Sequence, residues 1–297
     1  MSKALNFWRI VGNTLIIFLV VQACQRDGAS LLERASMQQT FQTAHDNQEM
    51  IATVRDIAGV TAGAFSQQGI TSGRIADEGV EGEMECEPSV TSNIKLDRTH
   101  LDTIMYSGVI TVDYGTGANC PDSVKRRKGM VVDSFMLVIR FKDSVWYSLS
   151  EKIKFVGYSR DSTTLDGSIS IASSSGSPTV VTIDETKVKY TDGKTSTWKG
   201  DLVYTIHNPG HNWGGTIDVT GSWSGTTRAG ASFSAQITKA IEYKSTCYRG
   251  IPVAGTVQVT TNDVTSTIDY GDGTCDRIYT ITTAGVTKEY KFSRRES

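Results

Sequence analysis

The sequence predicts a mainly β protein: a large antiparallel meander curling toward a sandwich or open barrel, preceded by one amphipathic helix. Three observations predict it. Apolar and polar residues alternate through many runs after about residue 86. Turn residues separate those runs. A stretch near the N-terminus follows the helical repeat instead. Alternation of period two marks strands with one covered and one wet face, whereas apolar residues three and four apart mark a helix.

In chain order, the first residues read "MSKALNFWRIVGNTLIIFLVVQAC". Lys3 and Arg9 give a positive start, Leu15 to Val21 is apolar without a break, and Ala23 precedes Cys24. This is the layout of a secretory signal whose apolar stretch is too short for a mature transmembrane helix. Val21-Gln22-Ala23-Cys24 resembles the lipobox of bacterial lipoproteins, with polar Gln22 where a small residue is usual. That resemblance implies a leader over residues 1–23, a lipid on Cys24 and, with Gln25 rather than Asp next, sorting to the outer membrane. No later stretch is apolar enough to span a bilayer, so the chain after Cys24 is expected to be soluble. Losing Lys3 and Arg9 with the leader takes the formal charge from −2 to −4. A nearly neutral exported chain is not expected to bind nucleic acid.

Residues 30–66 read as helix: Met50, Val54, Ile57 and Thr61 keep helical spacing with Gln, Glu and Arg between them. Glycines and small residues then read as a linker, so residues 24–80 form a lipidated tether with an amphipathic helix and 81–297 a β domain. Whether the helix covers a sheet face or stands as a stalk is left open by its pattern. In the β region, Trp198, Leu202, Tyr204 and Ile206 share a face. So do Ile217, Val219 and Trp223; Phe233, Ala235, Ile237, Ile241 and Tyr243; and Val286, Lys288, Tyr290 and Phe292. Asp192-Gly193 signals a hairpin, because its turn positions need positive φ. "TTRAGAS", "GDGTCD" and "TTAGVTK" mark further bends.

Beyond Cys24 the cysteines are Cys86, Cys120, Cys247 and Cys275, an even number that points to disulfides in an exported chain. "ITVDYGTGANC" at 110–120 returns as "STIDYGDGTC" at 266–275, each copy ending in a cysteine. Pairing each with its upstream neighbour gives Cys86–Cys120 and Cys247–Cys275, each closing a loop of about thirty residues and adding about 3–4 kcal/mol. A zinc site competes poorly, since C-x-x-C pairs are missing. In the doubled phrase Ile110, Val112 and Tyr114 point inward. Asp113 and Asp269 are expected to accept backbone N–H bonds at turns made by Gly115 and Gly271.

"TIDYGDGTCDRIYTITTAGVTKEYKF", with "VTGSWSGTTRAGASFSAQIT" and "CYRGIPVAGTVQV" before it, resembles the C-terminal part of a lipoprotein group common in Bacteroidetes. "ITVDYGTGANCPDSVKRRKGMVV" resembles its earlier segment. The resemblance covers about residues 86–292 and implies a β-rich secreted lipoprotein without an assigned activity.

Several clusters are candidates for chemistry. Asp269, Asp272 and Asp276 are potential calcium ligands but lack EF-hand spacing, so a polar turn is preferred and neither metal nor cofactor is expected. His207 and His211 flank Pro209-Gly210, which makes a loop tip; Trp213 beside them makes it a candidate glycan contact. Lys125, Arg126, Arg127 and Lys128 form a basic run, read as a solvated edge or as a contact for anionic headgroups. Nucleophile elbow, P-loop, dinucleotide and H-E-x-x-H motifs are missing. The sequence therefore favours a non-enzymatic binding or envelope-structural lipoprotein held to the membrane by its lipid. A carrier of a hydrophobic ligand in the curved sheet is the first alternative, and a surface glycan-active enzyme the second.

Overall fold

The computed structural model describes residues 2–70, 88–117, 127–141, 145–160, 163–207, 215–247 and 250–292, with side chains from residue 35 onward except at 99. Helix α1 spans Ser2–Gln67. The strands are β1 Ser89–His100, β2 Thr103–Asp113, β3 Arg127–Arg140, β4 Trp146–Arg160, β5 Thr163–Ser174, β6 Thr179–Lys189 and β7 Thr195–His207. They continue as β8 Thr216–Thr226, β9 Ser232–Lys244, β10 Ala254–Thr261, β11 Val264–Asp272, β12 Ile278–Thr283 and β13 Val286–Lys291. All thirteen form one antiparallel sheet in sequence order, a meander whose β1 and β13 edges stay unjoined.

Alternation decides which face is which. Ile110, Val112 and Tyr114, then Trp198, Leu202 and Tyr204, then Ile217, Val219 and Trp223 are buried on the inner face. The outer face carries hydroxyl ladders, among them Thr238–Thr256 at 2.7 Å, Thr260–Thr265 at 2.9 Å and Thr282–Thr287 at 2.8 Å. Cross-strand threonine pairs of this kind favour pairing where water reaches the sheet. Among the described residues no helix is long and apolar enough to cross a membrane.

Curvature comes from bulges. Register shifts interrupt β3–β4 between Lys128 and Met130, β4–β5 between Phe155 and Ser159, and β5–β6 between Asp166 and Ser168. An extra residue on one strand bends it and increases its twist, which curls a wide sheet. Gly129 shows why glycine is needed there. Its φ is +73°, and a Cβ would lie 2.2 Å from the Gly157 carbonyl oxygen. Gly129→Ala is therefore expected to destabilise the fold by about 2 kcal/mol or more. Urea unfolding measures this; a loss below about 0.5 kcal/mol would show that the bulge relaxes freely.

The helix lies along the opening of the sheet, against β2 on one side and β10, β11 and β12 on the other. Phe41, Ala44, Met50, Ile51, Val54, Ile57, Val60, Thr61, Ala64 and Phe65 are buried there. Phe65 meets Phe135 of β3 edge-on, with centroids 4.4 Å apart. Over this stretch α1 is part of the core rather than a stalk, which settles what the pattern of residues 30–66 left open.

Candidate functional site

Polar side chains key the helix into the sheet at several places, among them His45, whose Nδ1 lies 3.0 Å from the Tyr279 hydroxyl. Asp46 is gripped by Arg228, whose Nε and Nη2 donate to its two carboxylate oxygens at 2.8 and 2.6 Å. The same guanidinium lies 3.4 Å over the Tyr190 ring. Burial, with Asp46 adding to it, pushes the Tyr190 phenol up to about 12. One residue along α1, Asn47 accepts the Trp223 indole N–H while its own amide donates to the Thr43 carbonyl. Further on, Arg127 donates to Asp56 at 2.8 Å, and Arg160 lies 3.5 Å from the other carboxylate oxygen. Arg127 thus departs from the expectation of an exposed basic run. Odd-numbered residues of β3 face inward, and its side chain is 6 % exposed against Asp56. Lys128 turns outward; Lys125 and Arg126 lie outside the described residues.

Two further carboxylates approach each other on the inner face. Asp133 pairs with Ile153, and Glu151 with Phe135, so the two acids are diagonal neighbours on β3 and β4. They are 1 % and 3 % exposed. A substrate from solvent does not reach them as the fold stands.

Outside, β2 to β6 form a depression of about 450 Å³ lined by Ser134, Met136, Ser150, Lys152, Val180 and Thr182, among others. The register explains its shape. Ser134, Lys152, Ser170 and Thr182 form one cross-strand row, and Met136, Ser150, Ala172 and Val180 the next. Small hydroxyl residues sit in the middle of the sheet with larger side chains around them. At its rim Asp184 accepts from Lys152 at 3.1 Å, Ser168 at 3.0 Å and Ser170 at 3.2 Å. Partial burial would raise this carboxyl, but the three hydrogen bonds outweigh it and hold it below the usual range. The depression offers hydroxyls, an amine and a few apolar contacts, a set suited to holding a polar ligand rather than to proton transfer.

The two copies of the doubled phrase fold alike. Asp113 Oδ1 accepts the Gly115 N–H at 2.7 Å, and Asp269 Oδ1 the Gly271 N–H at 2.8 Å. Both glycines have positive φ, +55° and +94°. Tyr114 and Tyr270 are buried beside them. The neighbouring acids act the same way: Asp272 accepts the Thr274 N–H at 3.2 Å and Asp276 the Ile278 N–H at 3.0 Å. Hydrogen bonds from the Thr274 hydroxyl and N–H hold the Asp272 carboxyl below its ordinary value. These carboxylates are engaged by their own turns, and no cluster able to hold a metal occurs among the described residues. His207 Nε2 lies 2.9 Å from Asp218 Oδ2 across β7 and β8; His211 and Trp213 lie outside the described residues.

Cys247 and Cys275 form a disulfide, with Cα atoms 5.4 Å apart. It ties the β9–β10 connection to the β11–β12 connection at one end of the sheet. Cys86 and Cys120 lie outside the described residues. Cys275→Ser is expected to remove about 3–4 kcal/mol, the loop-closure value for a bridge of this span. Urea unfolding of the variant beside the reduced wild type checks it. Unchanged stability in both would make the bridge ornamental.

No protein family, curated protein or solved structure matches the chain.

Proposed function

We propose that the chain is a lipid-anchored, non-enzymatic protein of the bacterial outer membrane, attached through Cys24 and acting by binding or by bracing the envelope. The observation that carries this is the leader-like start of the chain ending in the lipobox-like Val21-Gln22-Ala23-Cys24; the course of α1 fits it. One helix, Ser2–Gln67, includes both Cys24 and the residues buried in the sheet. Cys24 precedes Phe41 by seventeen residues, about 25 Å of helix at 1.5 Å per residue. A lipid there would hold the β domain off the leaflet on a helical rod rooted in its core. The Cys247–Cys275 bridge fits an oxidising compartment. The lipobox and the resemblance to the Bacteroidetes lipoproteins supply the membrane assignment, with Gln25 favouring the outer membrane.

The alternatives have less behind them. A carrier needs apolar space inside the curved sheet, and α1 occupies the opening with Val54, Ile57 and Phe65. A glycan-active enzyme needs carboxylates that a sugar can reach, whereas Asp133 and Glu151 are enclosed. A ligand would instead be met on the outside, where the β2–β6 depression is open.

Intact-mass spectrometry of protein purified from membranes, with and without reduction, tests the proposal. The expected mass is that of a chain beginning at Cys24 plus acyl groups, with a gain of about two protons for every bridge opened on reduction. An unacylated mass that retains residues 1–23 overturns the anchor.

A further inference from the structure

We propose that the outward depression of β2–β6 holds a neutral, extended glycan chain lying across the strands. This gives a ligand to the binding role inferred above and rests on that role, but not on a lipid at Cys24. Access decides first what a ligand can touch. β3, β4 and β5 are each paired along both sides, so their backbone N–H and C=O groups are engaged in the ladders. A peptide adds itself to a sheet only at a free edge, which the middle of this one does not offer. A ligand here meets side chains alone.

Those side chains form two parallel lanes. Met136, Ser150, Ala172, Val180 and Val203 are successive neighbours on β3 to β7, with Met136 and Val180 well exposed. Two residues along each strand, Ser134, Lys152, Ser170, Thr182 and Asp201 stand in the same order. The first lane is largely apolar and the second polar throughout. Further round the sheet, the outward pairs Ser222–Gln236 and Ser224–Ser234 of β8 and β9 are both polar. The apolar lane thus ends before them, whereas the polar lane runs on from Asp201 through Ser222 and Gln236 to Gln258.

Charge and hydrogen bonding specify the partner. Lys152 pairs with Asp184 at 3.1 Å, and Asp201 accepts the Thr182 hydroxyl at 2.6 Å. Lys154, outward beside Ser168, is the second base against these two acids. The signs balance, so the depression favours neither an anion nor a cation. A lipid tail would cover the Ser134 and Ser150 hydroxyls without bonding them. A sugar ring meets both lanes, since it carries a rim of hydroxyls, each a donor and an acceptor, around a face of C–H bonds. The spacing agrees as well. Neighbouring strands lie about 4.8 Å apart, close to the advance of one ring along an extended β-linked chain. Successive rings laid across the strands would therefore repeat the same contacts in step with the sheet, with hydroxyls over the polar lane and C–H faces against Met136, Ala172 and Val180.

Methyl resonances test the proposal. Full-length protein carrying methyl-13C methionine is titrated with cellohexaose and chitohexaose. The methyl of exposed Met136 is expected to shift with at least one of them, while that of Met50, buried under the sheet, stays in place. Glucose should bind at least about tenfold more weakly than the hexamer, because it spans a single strand spacing. Ala172→Arg fills the depression and should weaken binding at least about tenfold. Thr182→Val removes one hydroxyl and should weaken it roughly two- to tenfold, the range for one hydrogen bond. Ala172 is exposed and Thr182 half-buried, and an unchanged unfolding midpoint confirms that the variants fold. Ser150→Arg, at another exposed position, repeats the filling test independently. A Met136 methyl unmoved by either hexamer, binding untouched by the filling variants, or tighter binding of acidic hexagalacturonate overturns the neutral glycan. The intact mass separately reports whether Cys24 is acylated, so failure of this site is distinguishable from failure of the anchor.

Discussion

Replacing Asp56 by alanine is expected to cost about 3–5 kcal/mol, because it strips a buried carboxylate from between two buried guanidinium groups. The side chains of Asp56, Arg127 and Arg160 are only 6 %, 6 % and 10 % exposed, so water screens them little. Removing one partner leaves positive charge in a low-dielectric setting, which is worse than never having had the ion pair. Tyr158 is buried beside them, its phenol pushed well up by burial first and by Asp56 next. The Tyr114 ring lies 5.7 Å from the Arg127 guanidinium. Against a typical total stability of about 5–15 kcal/mol, this loss is large. The thermal midpoint should fall by roughly 6–20 °C. Asp56→Asn, which keeps the shape and removes the charge, should lose most of the same amount. Replacing Asp56, Arg127 and Arg160 together by Leu, Met and Leu should recover stability close to wild type, since apolar packing commonly equals a buried ion network. A loss below about 1 kcal/mol in Asp56→Ala would mean that water enters the contact and that charge does not set the helix register.

Much of this fold can be read from residues close together in sequence, and the remainder depends on residues far apart. The strand faces follow from alternation alone: Ile110, Val112 and Tyr114 face inward because every second residue does. The helical face of Met50, Val54, Ile57 and Thr61 is legible in the same way. Where that face goes is not. The residues that key the helix, Asp46, Asn47 and Asp56, look on a helical wheel like ordinary wet positions. Their partners Arg228, Trp223 and Arg127 stand 182, 176 and 71 residues away. Arg127 misleads for the same reason: a basic run implies a wet surface until a buried carboxylate is found opposite one of its members. Turn chemistry was partly legible. Asp192-Gly193 gives the β6–β7 turn, with Lys194 N–H bonded to Asp192 at 3.0 Å. The β10–β11 turn at Asn262-Asp263, with φ of +49° and +62°, lacks the glycine that usually marks such a site.

A chain reduced to residues 88–297, without the helix, is expected to fail to reach the native state. Phe41, Met50, Ile51, Val54, Ile57 and Phe65 are all buried against the sheet. At about 1.5–3 kcal/mol for each side chain, their burial amounts to roughly 9–18 kcal/mol, on the scale of the whole stability of a domain. The sheet would instead expose its inner face, from Ile110 and Val131 to Tyr270 and Ile281, to water. Such a chain should bind a hydrophobic dye, lose its near-ultraviolet circular dichroism and unfold without a sharp transition. Val54→Asp in the full chain is a milder form of the same test. Val54 is 1 % exposed, so the substitution buries a charge and should cost more than about 4 kcal/mol. If the truncated chain melts cooperatively near the wild-type midpoint, the sheet is self-sufficient and α1 is accessory. If it does not, the consequence reaches the folding route. The helix closes against β10, β11 and β12, strands that lie about two hundred residues further along the chain. Contacts of that separation close late and slowly, because the loop entropy must be met before they contribute. The N-terminal helix would then wait on the last strands, and refolding of the full chain should be limited by their arrival.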